Sequence, residues 1–403
     1  MQIVKLCFEQ RVPITPRGRG TGTTGGATAP QGGVMLSFER MDSILDLNLV
    51  DRSLRAQPGV TNQAIQQHCE SHGLFWAPDP GSAAYCTLGG NLACNAAGPH
   101  ALKYGTTRGN TLQIKAVSGT GKTLVCGAVT SKSVVGLDLL RLLIGSEGIL
   151  AIITEAVVKL NVLTEARVSL QANYASVEAA VAAVCKIMRQ HPTPCALELI
   201  DDTCVELLRK NSDQKIAQQT QAILMIEFDG SYSEVEDAVQ SVRKVIQAIE
   251  LLSLEVSSSD AEAAHLWEAR KALSPTLRNH KPHKINEDVV VPLSQLAGFV
   301  NDVRRISQKY QLCIASFGHI GNGNLHVNVL YDSDESQKAQ SAVQEMFESV
   351  VNRQGSISGE HGVGLSKLEY AKLEIDRSTL EIMQELKRVF DPAGILNSGK
   401  ALP

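Results

Sequence analysis

The stretch PITPRGRGTGTTGGA, Pro13 to Ala27, decides how the rest of the chain is read. Between Arg17 and Ala27 it packs five glycines, three threonines and two arginines. Consecutive backbone N–H groups in such a loop can converge on a phosphate, and glycine permits the positive φ values this requires. Gly20, Gly22 and Gly25 formally satisfy G-x-G-x-x-G, so a dinucleotide-binding Rossmann turn must be weighed. That turn needs a helix starting on its glycines. Here ATAPQGGVML follows, with Pro30, Gly32 and Gly33 where the helix would run. The context excludes a Rossmann turn and leaves a non-helical phosphate loop.

Two later stretches extend the pattern. PDPGSAAYCTLGGNLACNAAG (Pro78 to Gly98) is small-residue-rich throughout, which suits close approach to a flat ligand. GSEGILAIITEA (Gly145 to Ala156) sets a glycine turn before an apolar strand. Residues 1–163 read as a strand-rich domain, with VMLSF, LQIKAV and ILAIITEAVVKL as strands.

From residue 164 strands and helices alternate. VSLQANY, CALELID, AILMIEFDG and LLSLEVSS read as strands, and SVEAAVAAVCKIMRQ and SEVEDAVQSVRKVIQAIE as helices. A third round runs from helix AEAAHLWEARKAL to strand KINEDVVVP, helix LSQLAGFVNDVRRISQKY and strands CIASFGHI and LHVNVLY. The pattern predicts an α+β domain over 164–403, its antiparallel or mixed sheet carrying helices on one face. The segment 376–403, a helix broken at Asp391–Pro392, is expected to return to the first domain.

Bulk properties narrow the class. The chain has 403 residues, 43% hydrophobic and 20% charged, with net charge −4. No basic stripe points to nucleic acid, and no apolar run reaches a spanning length. Nine scattered cysteines without a C-x-x-C pair argue against a disulfide framework or iron–sulfur cluster and for a reducing compartment. The first residues lack the zones of a signal peptide.

SFGHIGNGNLHVNVL carries the sharpest chemical signal. If Asn322-Gly323 forms a two-residue type I′ turn, His319 faces His326 across a hairpin and both can share one metal ion. Asn328 projects from the same side. SGEHGVG (Ser358 to Gly364) offers Glu360 and His361 in a glycine-rich bend, as a further ligand or base.

In order, PRGRGTGTTGGA, PDPGSAAYCTLGGNLACNAAGPHALKYG and GSEGILAIITEA resemble the FAD-binding (PCMH-type) domain of vanillyl-alcohol-oxidase-like flavoproteins. The likeness is greatest to the branch of D-lactate dehydrogenases, D-2-hydroxyglutarate dehydrogenases and the glycolate oxidase flavin subunit. The resemblance implies a two-domain flavoprotein that oxidises a D-2-hydroxy acid to the 2-oxo acid, with hydride passing to FAD. It implies that Arg17, Gly18, Gly20, Thr21, Gly22, Thr23, Gly25 and Gly26 hold the pyrophosphate. Pro80, Gly81, Thr87, Gly89, Gly90, Asn91, Asn95 and Gly98 would line the flavin, Gly148 and Ile153 the adenine end, and Asn397 the flavin again. No histidine lies in Pro13–Ala27, so the FAD is expected to be non-covalent.

By the same resemblance His319, His326 and Glu360 hold a divalent ion, zinc or manganese, and His361 takes the substrate hydroxyl proton. Arg270, Lys284 and Ser274 grip the carboxylate, with Asn328 beside them. Expected partners are a small 2-hydroxy acid and an external electron acceptor (a quinone, a cytochrome or an electron-transfer flavoprotein), with a homodimer as the expected assembly. Expected localisation is cytoplasmic, or the mitochondrial matrix in a eukaryote. Family members usually carry several dozen residues before the glycine loop, whereas this chain begins inside the helix leading to it. That leaves a non-catalytic flavin-binding subunit of a multi-subunit oxidase as one rival, and a metal-dependent hydrolase using the histidines alone as another.

Overall fold

The structure, a computed structural model, describes residues 1–212, 215–247 and 249–403. The chain forms two compact units, Met1–Leu163 together with Glu360–Pro403, and Thr164–Gly359. The returning segment thus starts at Glu360, ahead of the residue 376 expected from the sequence. A long-range contact accompanies it: the Glu147 carboxylate takes the backbone N–H groups of Val363 and Gly364, fastening the bend within the first unit.

In the first unit α1 (Gln2–Gln10) leads into β1 (Ile14–Arg17), which pairs in parallel with β2 (Val34–Ser37). The glycine-rich stretch between them runs through bends and turns without a helix. An antiparallel sheet follows in the order β3-β4-β8-β6-β7, made of β3 (Ile44–Asn48), β4 (Ser53–Ala56), β6 (Thr111–Ser118), β7 (Thr123–Gly127) and β8 (Ala151–Lys159). A short pair, β5 (Leu74–Phe75) with β9 (Asn161–Val162), closes one end. Thr61 caps α2 (Asn62–Glu70) and Thr87 caps α3 (Leu88–Cys94), each hydroxyl accepting a first-turn N–H, a contact worth about 1 kcal/mol. Ile65, Leu88 and Leu92 of these helices meet Leu54, Ile114, Ala156 and Val158 of the sheet in one core. Short helices α4 (Ala101–Tyr104) and α5 (Leu139–Leu143) complete the N-terminal part.

The second unit holds a seven-stranded sheet in the order β13-β10-β12-β11-β15-β16-β14. Its strands are β10 (Ala166–Tyr174), β11 (Ala196–Ile200), β12 (Ala222–Gly230), β13 (Leu251–Val256), β14 (His283–Val290), β15 (Cys313–Gly318) and β16 (Asn324–Tyr331). Every pairing in it is antiparallel. The helices are α6 (Val177–Ile187), α7 (Asp202–Asn211), α8 (Tyr232–Ile246), α9 (Asp260–Leu266), α10 (Glu268–His280), α11 (Leu296–Tyr310) and α12 (Ser336–Asn352). A capping box of Ser231 and Glu234 starts α8.

The expectation of helices on one face is corrected. Leu207 and Leu208 of α7 and Leu273 and Leu277 of α10 pack on Ile200, Met225, Ala315 and Phe317, one side of the sheet. Val177 of α6 and Val303 of α11 meet Leu199, Ile314 and Leu325, which point to the other side. Such burial on both faces explains the nearly unbroken apolar runs of β11 and β12. The helix read as AEAAHLWEARKAL is two helices that meet at Trp267, and α10 continues through Pro275 to His280. After Gly359 the chain rejoins the first unit, ending in α13 (Ala371–Glu374) and α14 (Arg377–Phe390). Asp391 ends α14, as the sequence indicated.

The type I′ hairpin at Asn322-Gly323 is also corrected. Residues Ile320–Asn322 form a 3₁₀ turn, and only Gly323 has positive φ, at 73°. A Cβ there would lie 1.9 Å from the Val291 carbonyl oxygen, so only glycine fits. The loop is therefore longer than two residues, and His326 pairs with Phe317 rather than with His319.

Candidate functional site

Strand alternation builds the site in the second unit. On β14, Lys284, Asn286 and Asp288 face one way; across β16 they pair with Leu330, Asn328 and His326. His326 in turn pairs with Phe317 of β15, and Phe317 with Ile200 of β11, two residues beyond Glu198. One face of the sheet thus carries Lys284, Asn286, Asp288, Asn328, His326, Phe317 and Glu198. Helix α10 packs over that same face and contributes Arg270.

His319 lies beyond the end of β15, yet its ring still reaches His326. The ring centroids are 5.3 Å apart, edge to face. Both side chains are buried. Glu198 is fully buried; Oε1 accepts from His319 Nδ1 and Oε2 accepts from Arg270 Nε at 2.7 Å. Burial pushes the Glu198 carboxyl up, but the adjoining His319 and Arg270 outweigh it and hold it at about 2. A carboxylate oxygen accepts, so His319 gives its Nδ1–H to Glu198, and Nε2 lies on the opposite side of the ring from that carboxylate. On the other side Asp288 Oδ1 takes Asn324 Nδ2 at 2.6 Å and stands 3.8 Å from His326 Nδ1. Two buried imidazoles backed by two buried carboxylates suit a divalent ion.

The cations on this face are only partly committed. Arg270 lies 4.4 Å over the Phe317 ring and gives Nε to Glu198; among the described residues its Nη nitrogens make no hydrogen bond. Lys284 is half-buried without an ion-pair partner among the described residues, and burial together with nearby Arg278 depresses its ammonium pKa. Facing each other across the strands, Asn286 and Asn328 each bury an Oδ1 that has no hydrogen-bond partner among the described residues. Asn328 uses its Nδ2 on the Ala315 and His326 carbonyls. These groups can receive an anionic ligand that also donates hydrogen bonds. Ser274 lies one helical turn beyond Arg270 and is exposed.

Within the first unit the three glycine-rich stretches converge. A Cβ on Gly18 would lie 2.4 Å from Thr87 Oγ1, and one on Gly148 would lie 3.0 Å from Pro16 Cγ. Arg17 Nη1 closes the first loop on the Ala27 carbonyl at 3.1 Å. Asn397 donates Nδ2 to the Gly26 and Glu147 carbonyls, and buried Lys400 donates to the Gly26 carbonyl and Asn397 Oδ1. Gly22 and Gly81 have open space around them, as a cradle for a ligand requires. Asn91 and Gly89 sit in α3, Gly89 tight against Pro58, while Asn95 ends α3 in the left-handed region. Ile153 is buried in the β8 core.

The bend with His361 hangs on this cradle. Thr24 Oγ1 donates to the His361 carbonyl at 3.2 Å, and Leu365 N donates to the Thr24 carbonyl at 2.7 Å. Gly364, with φ 51°, lies where a Cβ would be 2.2 Å from that carbonyl oxygen. Glu360 and His361 follow directly on Gly359, whose N–H donates to the Asp288 carbonyl at 3.2 Å.

Sequence reading missed Glu198, Asn286 and Asp288. For Asn286 and Asp288 a signal existed: KINED alternates polar residues at the spacing that places Lys284 on the site face. Glu198 had only the oddity of an acid inside the apolar run CALELI.

Comparison with known proteins follows the same lines. The family described as FAD linked oxidases, C-terminal domain, matches residues 163–401, and the FAD binding domain matches 1–127. The chain is 36% identical over 402 residues to the glycolate oxidase subunit GlcD of Bacillus subtilis, covering 99% of this chain and 86% of that one. It is 35% identical over 409 residues to the D-lactate dehydrogenase of Anaerostipes hadrus, with 99% and 86% covered. With the D-2-hydroxyglutarate dehydrogenase of Stutzerimonas stutzeri it shares 31% over 408 residues, with 99% and 87% covered. Among solved structures, p-cresol methylhydroxylase with bound substrate superposes with TM-score 0.81 at 16% identity, over 99% of this chain and 86% of that one. No helix among the described residues is long and apolar enough to cross a membrane.

Proposed function

The chain belongs to the FAD-linked oxidases, and on that premise we propose that it oxidises a small D-2-hydroxy acid to the 2-oxo acid. One observation carries the reading. Two cations with uncommitted donors, Arg270 and Lys284, share a sheet face with the buried pair His319 and His326. A substrate with a carboxylate beside a hydroxyl needs those two receptors next to each other.

When bound, FAD supplies a hydride acceptor and a divalent ion, zinc or manganese, supplies a Lewis acid for the hydroxyl oxygen. Arg270 offers its Nη edge to the carboxylate, in the planar fork that suits two parallel bonds, and Lys284 adds a point charge. Asn328 lines the substrate side of the same sheet face, and Ser274 adds a hydroxyl at the exposed end. His319, His326 and Glu360 are the proposed ligands of the ion. His361 takes the hydroxyl proton as the C2 hydride leaves, so proton and hydride depart together and the 2-oxo acid remains. The glycine-rich segments around Arg17–Gly26, Pro80–Gly98 and Gly148 hold FAD without a covalent bond. The partner this reading calls for is an external electron acceptor such as a quinone, a cytochrome or an electron-transfer flavoprotein.

The test is anaerobic bleaching of the flavin band by a panel of D-2-hydroxy acids (lactate, glycolate, 2-hydroxyglutarate), before and after dialysis against a chelator. Bleaching by at least one acid, lost on chelation and restored by zinc or manganese, is the expected result. Failure of every acid to bleach the metal-loaded flavoprotein would sink the reading.

A further inference from the structure

We propose that Glu198 is a positioning residue that sets both the ligating nitrogen of His319 and the direction of Arg270, so one buried carboxylate aligns ion and substrate clamp. The proposal rests on the hydroxy-acid reading above and goes beyond it, because Glu198 touches neither substrate nor ion in that reading.

Geometry carries the argument. Glu198 projects from β11 onto the site face and is 0% exposed. Its two oxygens serve two different functional side chains, one on the turn after β15 and one on α10. With Oε1 on Nδ1 of His319, the imidazole is locked in the tautomer whose Nε2 can bind a cation. With Oε2 on Nε of Arg270, and Phe317 under the guanidinium plane, only the Nη edge stays available, and its direction is fixed. A lysine at 270 could not give one donor to Glu198, lie flat on Phe317 and still offer a two-pronged edge.

A purely structural ion pair would predict a different outcome. In that case Glu198 would support the fold and leave metal affinity untouched. The discriminating experiment measures zinc and manganese affinity of the flavin-loaded protein by competition with a chromophoric chelator. It adds KM and kcat for the best bleaching acid. Glu198→Gln keeps the shape and removes the charge. Its metal affinity is expected to fall about 10–100-fold, the range for lost outer-shell partners, with KM raised and flavin content unchanged. Glu198→Asp, too short to span both partners, is expected to recover metal affinity or KM but not both.

A folded Glu198→Gln protein that binds zinc as tightly as the parent overturns the proposal. So does one whose metal affinity falls while KM stays fixed. Should Glu198→Gln fail to fold, Arg270→Gln gives the second reading. It frees one Glu198 oxygen and is expected to change metal affinity several-fold without substrate present; an unchanged affinity overturns the proposal. A parent protein that binds neither metal overturns the ion site itself, a failure distinguishable from all of these.

Discussion

Glu147 Oε2 accepts the backbone N–H of Gly364 at 2.9 Å, while its other oxygen takes that of Val363 at 2.7 Å. One buried carboxylate in the turn before β8 thus holds the bend that begins with His361. Glu147→Ala leaves two amides without an acceptor beside buried Lys367 and Lys400. Expected is a loss of about 2–4 kcal/mol, as for other buried polar groups left unpaired. Denaturant unfolding checks it, and a loss under 1 kcal/mol would speak against this anchoring role.

The pH dependence of that anchor has a definite sign. Burial raises the Glu147 carboxyl pKa above its ordinary value, against the pull of the Val363 and Gly364 amides and of Lys367 and Lys400. The folded state therefore binds this proton more tightly than the unfolded chain does. Its contribution to stability is full below the ordinary glutamate pKa and is lost as pH rises through the raised value. Parent minus Glu147→Gln stability should fall with rising pH across that window. A difference that rises instead would reverse the assignment.

His361→Ala should keep the yellow flavin and lose most of its reduction by substrate. Removal of a general base typically slows such a step by about 10²–10⁴-fold. Stopped-flow bleaching under anaerobic conditions measures it. A rate within a few-fold of the parent would remove His361 from the mechanism.

Lys400→Met should weaken FAD retention. Lys400 ties the Gly26 and Thr28 carbonyls to Asn397, so its loss frees the glycine-rich loop. Flavin content after gel filtration is the measurement. Stoichiometric flavin in the variant would show that the loop holds its shape alone.

Asn286→Ala and Asn328→Ala each remove a buried amide from the site face and should raise KM for the hydroxy acid roughly 3–10-fold. The reason is the unpartnered Oδ1 each buries on the site face. Steady-state kinetics decide it. A KM unchanged in both variants would mean these oxygens meet only water.

Much of this molecule could be read from residue order, and the misses have physical causes. Strands such as AILMIEFDG and the failure of the Rossmann context at Pro30 are local properties, set within a few residues, and they appear where expected. The hairpin at Asn322-Gly323 went wrong because turn propensity lost to a tertiary contact: Gly323 is pressed under the Val291 carbonyl, and the turn tightens to 3₁₀. His319 and His326 meet all the same, through a longer loop. Helix α12 was passed over although Ala339, Val343, Met346 and Val350 recur at helical spacing, masked by the polar residues between them. Glu198 could not be found from order alone. Its partners lie on the turn after β15 and on α10, far along the chain, and only the tertiary fold brings them together.

That register has a further meaning for how the sheet behaves over time. Strands β11 and β15, at the centre of the seven, are joined by just two residue pairs, Leu199 with Gly318 and Ile200 with Phe317. The ladders on either side are longer, five pairs between β11 and β12 and five between β15 and β16. A broad sheet usually opens from its rims; this one has a seam in the middle, dividing it into two leaves. Solvent deuterium should enter along that seam earlier than in the neighbouring ladders. Glu198 of β11 and His319 just after β15 flank that line, and their side-chain contact bridges it where main-chain bonds are few.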